Sequence, residues 1–319
     1  MIASPFIAEW SQFVSWAAVE QVEQDLTLSR LIVEIANDDF LGNELVFRGG
    51  TCLHKLHLPP GLRYSEDLDY VRRSAGGIRE MVDALRSIGE RLGMRVNVDV
   101  TKFPRVRFRA PFESGTGVMR IKIEINTYER SPARPLIHVP FAVESQWFHG
   151  SAMVQTFEVA ELVSTKLRAL YQRSKGRDLF DLWLALTRLA IPPTEILTCF
   201  EPYRPERYTK SLAVANLRAK LNSTDFRRDL GLARQHPAAG LRHGLSRSAR
   251  DRRASQPTGM IVARHPALKR STAASTTESV AIHTSTARRS PGHGLWPSRG
   301  RPSTPRPRAS CSRRRTRNG

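Results

Sequence analysis

The stretch LVFRGGTCLHKLHLPPGLRYSEDLDYV, residues 45–71 of a 319-residue chain, decides the fold. An apolar run at its start predicts a strand, which breaks at Gly49-Gly50. The pattern then predicts a short helix over 51–58, ended by two prolines and a glycine. A second apolar strand closes the stretch and carries Asp67 and Asp69. Strand, glycine turn, helix and strand in this order indicate an α/β fold.

The two aspartates alternate with Leu68, and this spacing places both carboxylates on one face of the second strand while Leu68 points into the core. Two like charges held side by side repel each other, and neither aspartate has a basic neighbour in the sequence. A divalent cation would relieve that repulsion. The alternative is an exposed edge strand with two solvated acids.

The Gly49-Gly50 turn favours a cation site at the two aspartates over an edge strand with solvated acids. Two glycines between a strand and a helix allow backbone N–H groups to approach a phosphate, and the helix N-terminus adds a favourable field. Thr51 is then expected at the helix start, either as a cap or with its hydroxyl facing the phosphate. Together with the acidic pair, the turn predicts a site for a metal-bound nucleoside triphosphate.

The segments Phe47–Thr51 and Arg63–Asp69 resemble, in order and spacing, the signature of the AbiEii/AbiGii toxin family of nucleotidyltransferases. That family belongs to the polymerase-beta-like superfamily. The resemblance implies a mixed sheet with flanking helices and a helical C-terminal half. It also implies transfer of a nucleoside monophosphate from an NTP to an acceptor, with Mg²⁺, or Mn²⁺ in its place, as the metal.

Further candidate residues come from two other segments. The strand predicted over 119–128 alternates three isoleucines with polar residues, and Glu124 matches the third acid that completes the metal site in the resembled superfamily. The helix predicted from Val159 carries Lys166, and the segment that follows it resembles the second half of the family. The resemblance implies that Lys166 contacts the triphosphate and that Arg177 clamps a phosphate.

In the same segment Asp178 is expected to orient Lys166 or an incoming hydroxyl, or to act as a base. Without the resemblance, Asp178 is an ordinary helix N-cap and Lys166 a solvated surface group. Asp181 is expected to pair with Arg177 or Lys175. Arg63 and Ser65 are expected to contact phosphates, although Ser65 equally suits the cap of a turn.

The remaining sequence patterns predict helices and strands that support the site. Residues 5–39 predict one bent helix or two, and a further helix begins after Gly76-Gly77. Strand alternation recurs at 95–100 and 106–109, and residues 132–140 read as a loop before a short strand. Cys52 is expected to be a small core residue. No signal peptide or membrane span is evident, so a reducing, cytoplasmic setting is expected.

Composition divides the chain unevenly. The net charge is +20, but residues 231–319 carry 19 basic and 2 acidic residues, which leaves residues 1–230 with a net charge of +3. We therefore predict three parts: a nucleotidyltransferase sheet domain over 1–150, a helical domain over 151–230 that completes the active site, and a disordered basic tail over 231–319. The overall charge is then poor evidence for nucleic-acid binding.

The Arg/Ser/Pro-rich composition of the tail has two explanations. A frameshift near residues 230–232 would replace the last helices of the fold, and the resemblance is expected to end at Leu230. A basic arm that grips RNA by counterion release is the alternative.

The function expected from the resemblance is that of a toxin which modifies an RNA, with the tRNA 3′ end as its acceptor, and which a separately encoded antitoxin neutralises. A two-metal phosphodiesterase or nuclease would use the same carboxylates but would need no phosphate cradle. The third hypothesis is a non-catalytic protein that binds RNA or the antitoxin.

Overall fold

The computed structural model describes residues 2–100, 103–113 and 117–234. The predicted tail therefore lies outside the described residues from residue 235 onward. Ten helices are numbered here in chain order: α1 Ser4–Trp10, α2 Val19–Ala36, α3 Leu41–Glu44, α4 Gly49–Cys52, α5 Arg79–Arg91, α6 Val159–Gln172, α7 Gly176–Thr187, α8 Pro193–Phe200, α9 Lys210–Asn222 and α10 Thr224–Arg234. A π-helical turn, Leu53–His57, continues α4, and a 3₁₀ turn, Glu201–Tyr203, follows α8.

Seven strands form one mixed sheet in the order β3-β4-β5-β2-β1-β7-β6. Their bounds are β1 Leu45–Arg48, β2 Asp67–Arg72, β3 Arg95–Asp99, β4 Arg105–Pro111, β5 Val118–Asn126, β6 Ile137–Glu144 and β7 His149–Thr156. β2 lies near the middle, antiparallel to β1 and parallel to β5. The predicted mixed α/β fold is confirmed, and the acidic strand occupies a central position.

The alternation predicted for the site strands is also confirmed. Leu68 is fully buried between the two aspartates, and Ile121, Ile123 and Ile125 of β5 are buried to 1% exposure or less. These residues fix which face of each strand meets the core, since a one-residue slip would exchange the two faces.

The N-terminal segment contains two helices rather than one bent helix, because residues 11–18 between α1 and α2 are not helical. The secondary structure predicted from the sequence differs most from the structure over residues 132–156. A loop and one short strand are predicted there, whereas β6 and β7 form an antiparallel hairpin. Pro140 lies within β6 opposite Met153. The sheet tolerates it because β6 is an edge strand, whose outer N–H groups need no partner.

Buried apolar residues form two clusters. The larger joins the sheet to α1, α2 and α5. The smaller lies among the π-turn, the loop to residue 62 and helices α6–α10, with Leu53, Val163 and Phe226 fully buried in it. The predicted boundary between residues 150 and 151 falls inside β7, and the predicted end at residue 230 falls inside α10. Among the described residues, no helix is long and apolar enough to cross a membrane.

Candidate active site

The glycine turn lies directly against the acidic strand. Gly49 has a φ of +86°, a conformation that suits a residue without Cβ. A Cβ at Gly49 would stand 2.3 Å from Asp69 Oδ2, and one at Gly50 would stand 2.4 Å from Arg63 Nη2 and 3.2 Å from Lys166 Nζ. Gly49 therefore requires glycine, whereas a side chain at Gly50 would displace the ends of two cationic side chains. The turn brings backbone next to one acid and two cations.

The acids predicted on β2 and β5 share one face of the sheet. The parallel register pairs Asp67 with Lys122 and Asp69 with Glu124. Lys122 Nζ lies 3.1 Å from Asp67 Oδ2 and 3.6 Å from Glu124 Oε2. The aspartates have no basic neighbour in the sequence, and the pairing of β2 with β5 brings Lys122 to Asp67 instead.

Glu124 is held by two cations, because Arg105 Nε also lies 2.9 Å from its Oε2. Among the described residues, no group of three or more His, Cys, Asp or Glu side chains is arranged to hold a metal ion. The metal site of Asp67, Asp69 and Glu124 therefore stays a prediction. Both cations lie at Oε2 of Glu124.

The pair Asp67 and Asp69 suits a magnesium ion. Mg²⁺ keeps several waters and is usually bound by one or two carboxylates together with substrate phosphates. Burial raises the pKa of Asp69, the charges of Asp67 and Glu124 raise it further, and Lys166 and Arg48 only partly offset this. A carboxylate destabilised in this way gains most from a cation placed beside it.

Lys166 belongs to a buried ionic network centred on Asp181. The carboxylate of Asp181 is fully buried and lies 2.9 Å from Lys166 Nζ. Arg63 donates to both of its oxygens (2.9 and 3.2 Å), and His54 Nε2 lies 2.9 Å from Oδ1. Burial alone would raise the pKa of Asp181, but Lys166, Arg63 and His54 hold it well below its ordinary value.

This network corrects two expectations. Asp181 pairs with neither Arg177 nor Lys175, and it is the nearer partner of Lys166, since Asp178 Oδ1 lies 3.8 Å away. Helix geometry explains the first result: α7 turns Asp181 to the side that packs on the π-turn and α6, where His54 and Lys166 lie. Asp181 therefore positions Lys166.

Asp178 is also fully buried, and its partner is Arg173. The guanidinium of Arg173 donates to both Asp178 oxygens at 2.8 and 2.9 Å. Arg173 lines the cleft beside Asp69, whereas Arg177 is not among its lining residues and contributes its backbone N–H to Asp229. The structure thus offers Arg173 where the sequence suggested Arg177.

Thr51 and Ser65 connect the turn to the acidic strand. The Thr51 hydroxyl donates to the carbonyl oxygen of Asp67 at 2.5 Å and lies 2.7 Å from Ser65 Oγ. Thr51 is almost completely buried. Its hydroxyl therefore fixes the start of β2 against the turn and is not directed to an incoming phosphate.

Two further arginines were not predicted. Arg48 and Arg168 both line the cleft, and both contact Glu129: Arg48 Nη1 at 2.7 Å, and Arg168 through Nη1 at 2.5 Å and Nη2 at 3.0 Å. Despite its burial, these contacts lower the pKa of Glu129 to about 2. Arg48 directly precedes the glycine pair, and Arg168 follows Lys166 by two residues. In the sequence, only these positions next to predicted site residues could have indicated the two arginines.

These groups surround a cleft of about 260 Å³ between the sheet and α6. Its lining includes Gly49, Asp69, Glu124, Lys166, Arg168 and Arg173. We call it the acidic cleft. A carboxylate pair on one wall and an array of cations on the other can accommodate a metal ion and a polyphosphate together.

Cys52 is fully buried, as predicted for a core residue, and burial raises the pKa of its thiol to about 12. At neutral pH the thiol is therefore protonated and is not a nucleophile.

Comparison with known proteins identifies a family. The model of the family described as nucleotidyl transferase AbiEii toxin, of type IV toxin–antitoxin systems, matches residues 30–254. No curated protein matches the chain. The family match continues past Leu230, so the expectation that the resemblance ends there is wrong.

Solved structures also match. The nucleotidyltransferase toxin MenT4 of Mycobacterium tuberculosis is 19% identical, with a TM-score of 0.45, and the match covers 74% of this chain and 96% of that one. JHP933 of Helicobacter pylori is 16% identical, with a TM-score of 0.37, and the match covers 67% and 94% of the two chains.

Proposed function

Since the chain belongs to the AbiEii family of nucleotidyltransferase toxins, we propose that it transfers a nucleoside monophosphate from an NTP to an RNA, with the 3′ end of tRNA as acceptor. The observation that carries the proposal is the meeting of three features at one point. Gly49 lies against Asp69, Gly50 lies against Lys166 and Arg63, and Asp67 shares the face of Asp69.

The proposed reaction forms one P–O bond and breaks another. The acceptor hydroxyl attacks the α-phosphorus, the α–β bridging bond breaks, and pyrophosphate leaves. Asp67 and Asp69 would hold Mg²⁺, which neutralises developing charge on the phosphate oxygens when it is bound. The proton of the attacking hydroxyl passes to a carboxylate of the cleft, and Glu124, opposite Asp69 on the neighbouring strand, is the candidate because Asp67 and Asp69 hold the metal.

The cations provide the phosphate site. Lys166 is buried, and Asp181, itself held by Arg63, fixes its position, so it can contact the triphosphate without reorganisation of the site. Arg173 and Arg168 line the same cleft. Each guanidinium has five N–H donors, so each keeps donors for a phosphate beyond those that bind Asp178 and Glu129. Arg105 and Lys122 both contact Oε2 of Glu124, so its Oε1 could take part in binding a second cation.

The wider setting follows from the family. We propose a cognate antitoxin as the partner that neutralises the enzyme, and the cytoplasm, where NTPs and tRNA occur, as its location. The division into a sheet domain and a helical domain is part of the proposal, because Asp69 is on β2 while Lys166 and Asp181 are on α6 and α7.

Labelled substrates test the reaction type. Each of the four NTPs, labelled with ³²P at either the α or the γ position, is incubated with the protein, Mg²⁺ and total tRNA. We expect the α label on RNA and the γ label in pyrophosphate. Lys166→Met should abolish the transfer, whereas Lys210→Met, at an exposed residue of α9, should not affect it. Shortening of RNA in the absence of any NTP would identify a phosphodiesterase instead.

A further inference from the structure

A second cavity adjoins the acidic cleft and takes no part in the mechanism above. Its volume is about 490 Å³, within the usual range for small-molecule sites. Three aromatic residues of the N-terminal segment, Trp10, Phe13 and Trp16, line it. We call it the aromatic cavity.

The two cavities share a boundary at the glycine turn. Thr51, Arg63 and Ser65 line the aromatic cavity, whereas Gly49 and Lys166 line the acidic cleft. Gly50 stands between them, since a Cβ there would lie 2.4 Å from Arg63 Nη2, 3.2 Å from Lys166 Nζ and 3.5 Å from Ser65 Oγ. Phosphates bound at the turn would thus lie beside Arg63 and Ser65, which line the aromatic cavity.

The polar groups of the aromatic cavity suit a ligand that donates hydrogen bonds. His54 Nε2 faces Asp181, and burial lowers the pKa of His54, so the ring is neutral with its proton on Nε2. Its Nδ1 is then an acceptor, and it has no hydrogen-bond partner among the described residues. The same holds for Glu144 Oε2 on the opposite wall. Unpaired buried acceptors destabilise a fold unless a ligand satisfies them.

We propose that the aromatic cavity binds the nucleoside end of the NTP, base and ribose, while its phosphates lie at Gly49-Gly50. This inference rests on the proposed function. A nucleoside combines the required features: a planar ring that packs on aromatic side chains, and N–H and O–H donors for buried acceptors. The N-terminal helices, which sequence reasoning treats as scaffold, thereby become part of the substrate site.

Two aromatic residues provide a matched pair for the test. Phe13 lines the aromatic cavity with its side chain 39% exposed, and it contacts Trp10 with ring centroids 5.6 Å apart. Phe103 lines the acidic cleft. Because Phe13 is not in the buried core, Phe13→Ala should fold, which a melting curve checks. Trp16→Leu provides a second variant on the same cavity.

Calorimetric titrations with NTPs and with tripolyphosphate, both in the presence of Mg²⁺, distinguish binding of the nucleoside from binding of the phosphates. Loss of one base–aromatic contact should weaken NTP binding by about five- to hundredfold. We expect this loss in Phe13→Ala and Trp16→Leu, with tripolyphosphate binding unchanged in both. NTP binding should be unchanged in Trp183→Ala, at a 50% exposed aromatic residue of α7 that lines neither cavity.

Wild-type affinity for NTPs in both aromatic-cavity variants would overturn the inference and leave the proposed function intact. A loss confined to Phe103→Ala would place the base in the acidic cleft and would also overturn it. If the wild-type protein bound neither tripolyphosphate nor any NTP, the phosphate site itself, and with it the proposed function, would fail.

Discussion

Replacing Asp181 with Asn should destabilise the fold strongly, although the two side chains have the same shape. The carboxylate of Asp181 is fully buried and faces Lys166 and Arg63, whose side chains are 9% and 6% exposed. Neither cation can turn to water when that charge is lost. Removing one partner of a buried ion pair costs about 3–5 kcal/mol, because the other charge remains buried without compensation.

Asp178→Asn is the matched control. Asp178 is equally buried and lies one turn away on the same helix, but its partner Arg173 is 50% exposed. Arg173 can therefore regain water, and we expect a cost of about 1–2 kcal/mol. Urea unfolding at pH 7, followed by tryptophan fluorescence, gives both differences in the free energy of unfolding.

The pH dependence provides an independent check. Since the pKa of Asp181 is lowered in the fold, its contribution to stability is complete above the unfolded value of about 3.9 and is lost as the pH falls through the lower folded value. The difference between wild type and Asp181→Asn should therefore narrow in acid. A loss below about 1 kcal/mol at pH 7, or equal losses in the two variants, would refute the reasoning for the Asp181 network.

Three more perturbations test the rest of the site. Asp69→Asn should melt at a higher temperature than wild type at pH 7 in the presence of a chelator, because the raised pKa of Asp69 means that its negative charge destabilises the fold. Added Mg²⁺ should raise the melting temperature of the wild type only. Gly50→Ala should fold but lose NTP binding, measured by calorimetry, because its methyl group would stand 2.4 Å from Arg63 Nη2 and 3.2 Å from Lys166 Nζ and would displace both cations. Glu129→Gln should cost about 2 kcal/mol in urea unfolding at pH 7, because Arg168 loses a charged acceptor; the pKa of Glu129 is about 2, so this difference should shrink below about pH 4.

The sequence predicts the site strands well because their signals are local. Alternation placed Asp67 and Asp69 on one face with Leu68 in the core, and the register with β5 agrees. The glycine pair was equally informative, since a positive φ and two close approaches leave room for no side chain. These features depend on spacing within one or two elements.

Partners brought together by tertiary packing were not predictable in the same way. Lys122 meets Asp67 only through strand pairing, and Arg63 meets Asp181 across 118 positions of sequence. His54 reaches Asp181 from a π-helical turn, where an ordinary short helix was expected. The choice between Arg173 and Arg177 depends on where α6 ends, and boundaries are the least certain part of a periodic pattern.

The two strands of the β6–β7 hairpin are not predictable from the sequence for a different reason. Pro140 interrupts its first strand, and proline in a strand pattern normally argues against a strand. Only the position of β6 at the sheet edge makes that residue acceptable, and edge position is a property of the assembled sheet.

The most direct test of the central claim is transfer of the α label from each NTP to total tRNA by wild type and by Asp67→Ala/Asp69→Ala, with Mg²⁺. Asp225→Asn serves as the control, because its side chain is 83% exposed on α10. The account predicts labelled RNA with wild type and with the control, and none with the double variant. Equal labelling by the double variant, from protein shown to be folded, would contradict it.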